Sequence, residues 1–228
     1  MIIMGNGRLI TRNAAEPYYE NGAVVTENEL IKETGTTAEM RLKYPDAEFV
    51  DAKGGVIMPA FINAHTHIYS ALARGLSIAG YNPTNFYEVL DGMWWKIDRS
   101  LTLEDTRRSA YTTIIDCIKT GCTTIFDHHA SFCQIEGSLF AIADAAKALG
   151  IRACLCYEVS ERDGEKKCDE SIEENRSFID YCERERDPML KAMFGGHALF
   201  TISDKTFDRM AAANSGRVGY HIHVSEGM

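Results

Sequence analysis

No apolar run in this chain approaches the ~18 residues of a membrane span, so a transmembrane segment is not expected. The opening Met1-Ile2-Ile3-Met4-Gly5-Asn6-Gly7 lacks the charged-then-apolar order of a secretory signal. Lys and Arg gather nowhere into a basic patch. Net charge is −9, from 24 basic and 33 acidic side chains, so neither nucleic acid nor an anionic membrane is expected as a partner. The seven cysteines include no C-x-x-C pair. Cys154 and Cys156 alternate within an apolar run and read as buried thiols, which suits a reduced, cytoplasmic protein. What remains is an ordinary soluble composition: 228 residues, 45% hydrophobic and 25% charged, enough for one large domain or a domain with a smaller partner.

Against that background one motif stands out. The run Gly54-Gly55-Val56-Ile57-Met58-Pro59-Ala60-Phe61-Ile62-Asn63-Ala64 reads as a buried strand, and it ends in His65-Thr66-His67. Side chains alternate along a strand, so His65 and His67 share a face, roughly 6–7 Å apart along the backbone. Two imidazoles with ~2 Å metal–nitrogen reach can then close on one divalent ion. A second cluster, Tyr220-His221-Ile222-His223-Val224-Ser225-Glu226, follows a turn at Ser215-Gly216. There His221 and His223 share a face, and Glu226 lies three residues beyond His223. A carboxylate beside a metal site suits hydrolysis: the metal lowers the pKa of water toward ~7 and the carboxylate carries the proton.

The order of elements changes after residue 53. Residues 1–53 hold short strand candidates separated by Gly, Asn and Pro, a small β unit. From residue 54 to 228, strands alternate with helices. Leu103 to Lys119 reads as a helix, with Thr102 as N-cap and Asp105 three residues on. Cys122 to Asp127 is a strand ending in His128-His129. Helices at 137–149, 171–186 and 204–213 separate strands at 151–157, 190–197 and around His221 and His223. Hydrophobic, non-alternating strands joined by helices imply a parallel sheet covered by helices. Polar residues at the strands' C-terminal ends point to a (β/α)8 TIM-type barrel, of which five of the eight strands are counted here.

The run Gly55 to His67, the strand end Asp127-His128-His129, Phe194-Gly195-Gly196-His197-Ala198-Leu199-Phe200-Thr201 and His221 to Glu226 together resemble the amidohydrolase superfamily. The likeness is to its aminohydrolase and chlorohydrolase branch, which includes guanine deaminase, adenosine-type deaminases and triazine hydrolases. The resemblance implies a metal-dependent hydrolase acting on a C–N bond of a cyclic amidine or related heterocycle, with a small-molecule substrate. It makes His65, His67 and His223 ligands of one divalent metal, zinc first and iron second, and Glu226 the proton shuttle. His197 matches a histidine that contacts substrate. His128, Glu88 and Trp95 are placed at the substrate pocket, the last two on the long excursion after the first barrel strand. The resemblance also implies that residues 1–53 begin a composite β-sandwich, that the chain corresponds to about the first half of a full-length homo-oligomeric enzyme, and that the remaining metal-site histidine and aspartate lie beyond it, so that the chain alone is expected to be inactive. A dechlorinating or amide-cleaving hydrolase and a non-catalytic metal-binding remnant are the alternatives.

Overall fold

The computed structural model describes residues 1–226; Gly227 and Met228, the last residues of the expected barrel segment, lie outside them. The chain divides into two compact units, one spanning Met1–Ala60 and one beginning at Phe61.

In the first unit, alternating burial along β1 (Ile2–Ile10) turns Ile3 and Leu9 inward. β1 pairs antiparallel with β2 (Tyr18–Glu27), which pairs with β3 (Leu30–Thr36). A helix not expected from the sequence follows, α1 (Thr37–Lys43). Its start is set by a capping box in which Thr36 and Glu39 satisfy each other's backbone amides. β4 (Glu48–Asp51) and β5 (Val56–Ile57) then run parallel to β1. The apolar run read as one strand from Gly54 to Ala64 is therefore two. Val56 and Ile57 pair with Arg8 and Leu9 of the first unit, and a new strand starts after Pro59, which lacks the N–H a continuous ladder would use.

That new strand is β6 (Phe61–Thr66), the first of the second unit. The excursion after it carries a 3₁₀ turn at Ile68–Ala73, α2 (Phe86–Val89), a single π turn at Leu90–Trp94 and α3 (Trp95–Asp98). α4 (Leu103–Lys119) is bounded as expected, with the Thr102 hydroxyl accepting from the Asp105 amide and Asp105 accepting from Thr102. β7 (Cys122–His129) leads to α5 (Ser138–Leu149), which stops at Gly150 with φ of 71°. β8 (Arg152–Tyr157) is followed by α6 (Glu165–Glu185), which starts six residues before the expected Ser171. β9 (Leu190–Ala192), β10 (Phe194–Ala198), α7 (Asp204–Asn214) and β11 (Tyr220–His223) complete the described elements.

The strands of this unit pair in parallel, β6-β7-β8-β9 in one ladder and β10-β11 in another. The segment read as one strand from Leu190 to His197 breaks at Met193. β9 pairs with β8, while β10 pairs with β11 and touches the chain after β8 through a bridge between Val159 and Gly196. Gly195 permits this close passage, because a Cβ there would overlap the Tyr157 carbonyl. Ile114, Ile125, Leu139, Ile142 and Phe178 pack between helices and sheet. The fold is thus mixed α/β with a parallel sheet. Its strands carry their chemistry at the C-terminal ends, since His67, His128, Glu158, His197 and His223 all sit at or just past those ends.

Candidate metal centre

β6, β7, β10 and β11 end side by side, and their terminal histidines converge. His67 directs its Nδ1–H to the carbonyl of His128 at 2.8 Å, and His223 directs its Nδ1–H to the carbonyl of His197 at 2.9 Å. A carbonyl only accepts, so both rings carry the proton on Nδ1 and expose a lone pair on Nε2. The two Nε2 atoms face each other at 3.2 Å. Two bare lone pairs repel at that distance, whereas two nitrogens on one tetrahedral ion with ~2.0–2.1 Å bonds lie about 3.3 Å apart. Donation of the second ring N–H to a backbone carbonyl is also the arrangement that orients metal-binding histidines. The donor set therefore fits a divalent metal. Burial, followed by the neighbouring His128, pushes His223 down to about 3, keeping its ring neutral as a ligand must be.

His65 stands at the edge of this pair. Its ring centroid is 4.8 Å from that of His67 and 5.1 Å from that of His223. Its Nδ1 lies 2.8 Å from Nε2 of His221, which leaves its Nε2 without a hydrogen bond among the described residues. The tightest groups of candidate ligand atoms, within 4.8 Å of one another, are His67, His128, Glu158 and His223, and His197, His223 and Glu226. Neither includes His65, which is exposed.

His128 is not at a pocket wall as the sequence analysis expected; it is fully buried beneath the pair. Its Nδ1 meets Glu158 Oε1 at 3.0 Å, and its Nε2 meets the carbonyls of Gly196 and His221 at 3.0 and 2.9 Å. All three partners are acceptors, so both ring nitrogens carry protons. Burial opposes that charge, but the bond to Glu158 and its negative charge raise the His128 pKa. With both nitrogens engaged, His128 has no lone pair to offer.

A cavity of about 220 Å³ opens above these groups. Its polar lining is His67, Ser70, Glu158, His197, His223 and Glu226; Tyr69, Phe86 and Trp94 supply aromatic walls. Trp94 faces it from the π turn, whereas Trp95 turns inward with its ring 6.1 Å from that of His197 and does not line it. Glu88 does not line it either. It is exposed and accepts from the Thr84 amide and hydroxyl at the start of α2, a local turn that its proximity to the tryptophans in sequence could not reveal. His197 is buried, with Nδ1 on Thr201 Oγ1 at 2.8 Å. Glu226 lines the cavity with Oε2 buried and without a partner among the described residues, and burial followed by the charge of Glu158 raises its pKa.

Sequence reasoning passed over Glu158. It is 2% exposed, and its neighbours are His128, His67 Nδ1 at 3.4 Å and His197 Nε2 at 3.9 Å. Burial alone would push its pKa up, but His197, His128 and His67 hold it well below the usual carboxylate range. The signal was present: a carboxylate directly after the apolar strand 151–157, at a strand's C-terminal end.

The amidohydrolase family profile matches residues 56–227, most of the chain, and a bacterial imidazolonepropionase-like composite domain profile matches residues 22–47. The chain belongs to the amidohydrolase family. It is 30% identical over 226 residues to a 5'-deoxyadenosine deaminase of Methanosarcina barkeri, covering 99% of this chain and 49% of that protein. It is also 30% identical over 229 residues to a 5-methylthioadenosine/S-adenosylhomocysteine deaminase of Syntrophomonas wolfei, with the same coverage of 99% and 49%. The chain thus spans about half the length of the curated relatives it matches. An adenosine deaminase structure from Xanthomonas campestris with bound zinc superposes with a TM-score of 0.75 at 19% identity, covering 97% of this chain and 48% of that one, a likeness of fold.

Proposed function

We propose that this chain carries the metal-binding part of a hydrolase that releases ammonia from a C–N bond of a cyclic amidine or related heterocycle. The observation that carries this reading is the facing pair of Nε2 lone pairs on His67 and His223, each ring locked by a carbonyl. The relatives named as deaminases of deoxyadenosine and methylthioadenosine support the same chemistry. His67 and His223, with His65 rotated in beside them, would hold one divalent ion, zinc first, with iron also suited to nitrogen donors. Such an ion supplies Lewis-acid activation of water.

The chain's own residues do the rest. Glu226, with an oxygen unpartnered among the described residues and a raised pKa, takes a proton at Oε2 from the attacking water and returns it to the departing nitrogen. His197, anchored by Thr201, orients the substrate ring. The aromatic walls at Tyr69, Phe86 and Trp94 accept a flat ring and limit water. The parallel strands with functional residues at their C-terminal ends support a partial TIM-type barrel, and the first unit supports the opening of a composite β-sandwich. The seven free thiols support a reduced, cytoplasmic setting. A small-molecule substrate and a homo-oligomeric full-length enzyme complete the reading.

Elemental analysis of the full-length enzyme beside its His67→Ala variant tests it. One equivalent of zinc or iron, lost in the variant, supports the reading, and a metal-free, folded wild type overturns it. A substrate panel scored for ammonia and for chloride then separates deamination from dechlorination.

A further inference from the structure

Glu158 is used by nothing in the reading above beyond its bond to His128. Only Oε1 is engaged there; Oε2 has no hydrogen bond among the described residues, and its nearest ring nitrogen is His197 Nε2 at 3.9 Å. Yet the side chain is 2% exposed and lines the cavity. Glu158 thus offers the cavity a carboxylate oxygen that no protein donor engages among the described residues, and a ligand N–H that takes the place of water there gains a charged acceptor. The neighbouring histidines do not fill it. His128 is pinned by Glu158 Oε1 and two carbonyls, His67 by the His128 carbonyl, and His197 is held through Thr201.

We propose that Glu158 is a specificity-determining residue: its Oε2 receives N–H donors from the bound ligand and selects an amidine or guanidine-like face over a carbonyl-bearing one. The inference rests on the proposed hydrolase reading in that both use this cavity. A planar ligand in the cavity lined by Tyr69, Phe86 and Trp94 can direct an sp² N–H at Glu158, whereas a carbonyl oxygen placed there meets another acceptor and is repelled. Discrimination by a buried, charged acceptor is larger than a neutral pocket can give, because the mismatched ligand leaves that acceptor unpaired.

The test compares benzamidinium with benzamide, two probes of the same shape that differ in whether N–H or C=O can face Glu158. Binding is read by calorimetry and by quenching of Trp94 fluorescence in wild type, Glu158→Gln and Glu226→Gln, with metal content measured on the same samples. Wild type is expected to prefer benzamidinium by about 10-fold or more, the range of a charged hydrogen bond. In Glu158→Gln, which keeps the shape and an acceptor for His128, the preference should fall to about 2-fold or less, because the charge is gone and the amide nitrogen presents a donor to the cavity. In Glu226→Gln it should persist. Equal affinities in wild type, no binding of either probe, an undiminished preference in Glu158→Gln or its loss in Glu226→Gln would each overturn the inference. Should Glu158→Gln fail to fold, the wild-type ratio and the Glu226→Gln result decide. Metal present without the preference removes this inference alone; the preference without metal removes the hydrolase reading and leaves this one standing.

Discussion

His67 and His223 lie 156 residues apart in the chain and present their Nε2 atoms to each other at 3.2 Å. Each is fixed by donating Nδ1–H to the carbonyl of a histidine on the neighbouring strand, His128 for His67 and His197 for His223. The backbone of one histidine thus aims the ring of another, and the geometry requires two strand ends to be in register.

Removing either member of this pair should weaken metal retention. His223→Ala is expected to bind zinc at least ~10-fold more weakly than wild type, a loss no smaller than that for outer partners of metal ligands. A competition titration with a chromophoric chelator measures it, and unchanged affinity would show that the ion sits elsewhere.

Acid should destabilise the fold through His129, which is fully buried with its Nε2 on Ser131 Oγ at 3.0 Å. Burial drives its pKa from 6.5 down to about 3. The unfolded chain takes up a proton below pH 6.5 that the folded chain refuses until about pH 3, so stability is complete above pH 6.5 and declines across that window. The slope for this one group approaches ~1.4 kcal/mol per pH unit. Thermal unfolding midpoints between pH 7 and 4 should fall steeply in wild type and less steeply in His129→Gln.

Gly195→Ala tests the strand switch between β9 and β10. A Cβ at this position would overlap the Tyr157 carbonyl and crowd Cys156 Sγ at 3.1 Å. Backbone cannot yield as a flexible side chain does, so a loss of about 1–3 kcal/mol or more is expected from overpacking. Urea denaturation reads it directly, and a neutral result would mean that β10 can slide away from β8.

The N-cap of α4 offers a milder check away from the site. Thr102→Ala removes one half of the reciprocal pair with Asp105 and should cost about 1 kcal/mol, with the cavity untouched. Chemical denaturation measures the loss, and probe binding should be unchanged.

Much of this was legible in local pattern. The bounds of α4 follow from Thr102, Asp105 and the apolar spacing between them, and the end of α5 follows from Gly150. Both are decided within a few residues, where capping and glycine conformation act. Each H-x-H pair was legible as a shared strand face because side chains alternate along a strand, whereas the meeting of His67 with His223 was not. The break at Met193 was not legible. It depends on how closely β10 passes the chain after β8, a relation between segments more than 30 residues apart.

Neighbours in the chain set the strand–helix alternation of the second unit and the caps that start and stop its helices, because capping and glycine conformation act within a few residues. Which of the histidines keep a free lone pair depends instead on packing. His128 and His129 adjoin in sequence, yet one is an imidazolium locked by Glu158 and two carbonyls and the other a buried neutral ring. Protonation is governed by the partners that packing brings to each nitrogen, and those partners come from strands remote in the chain. The same packing buried Glu158 with one oxygen open to the cavity, a property that no spacing of residues encodes.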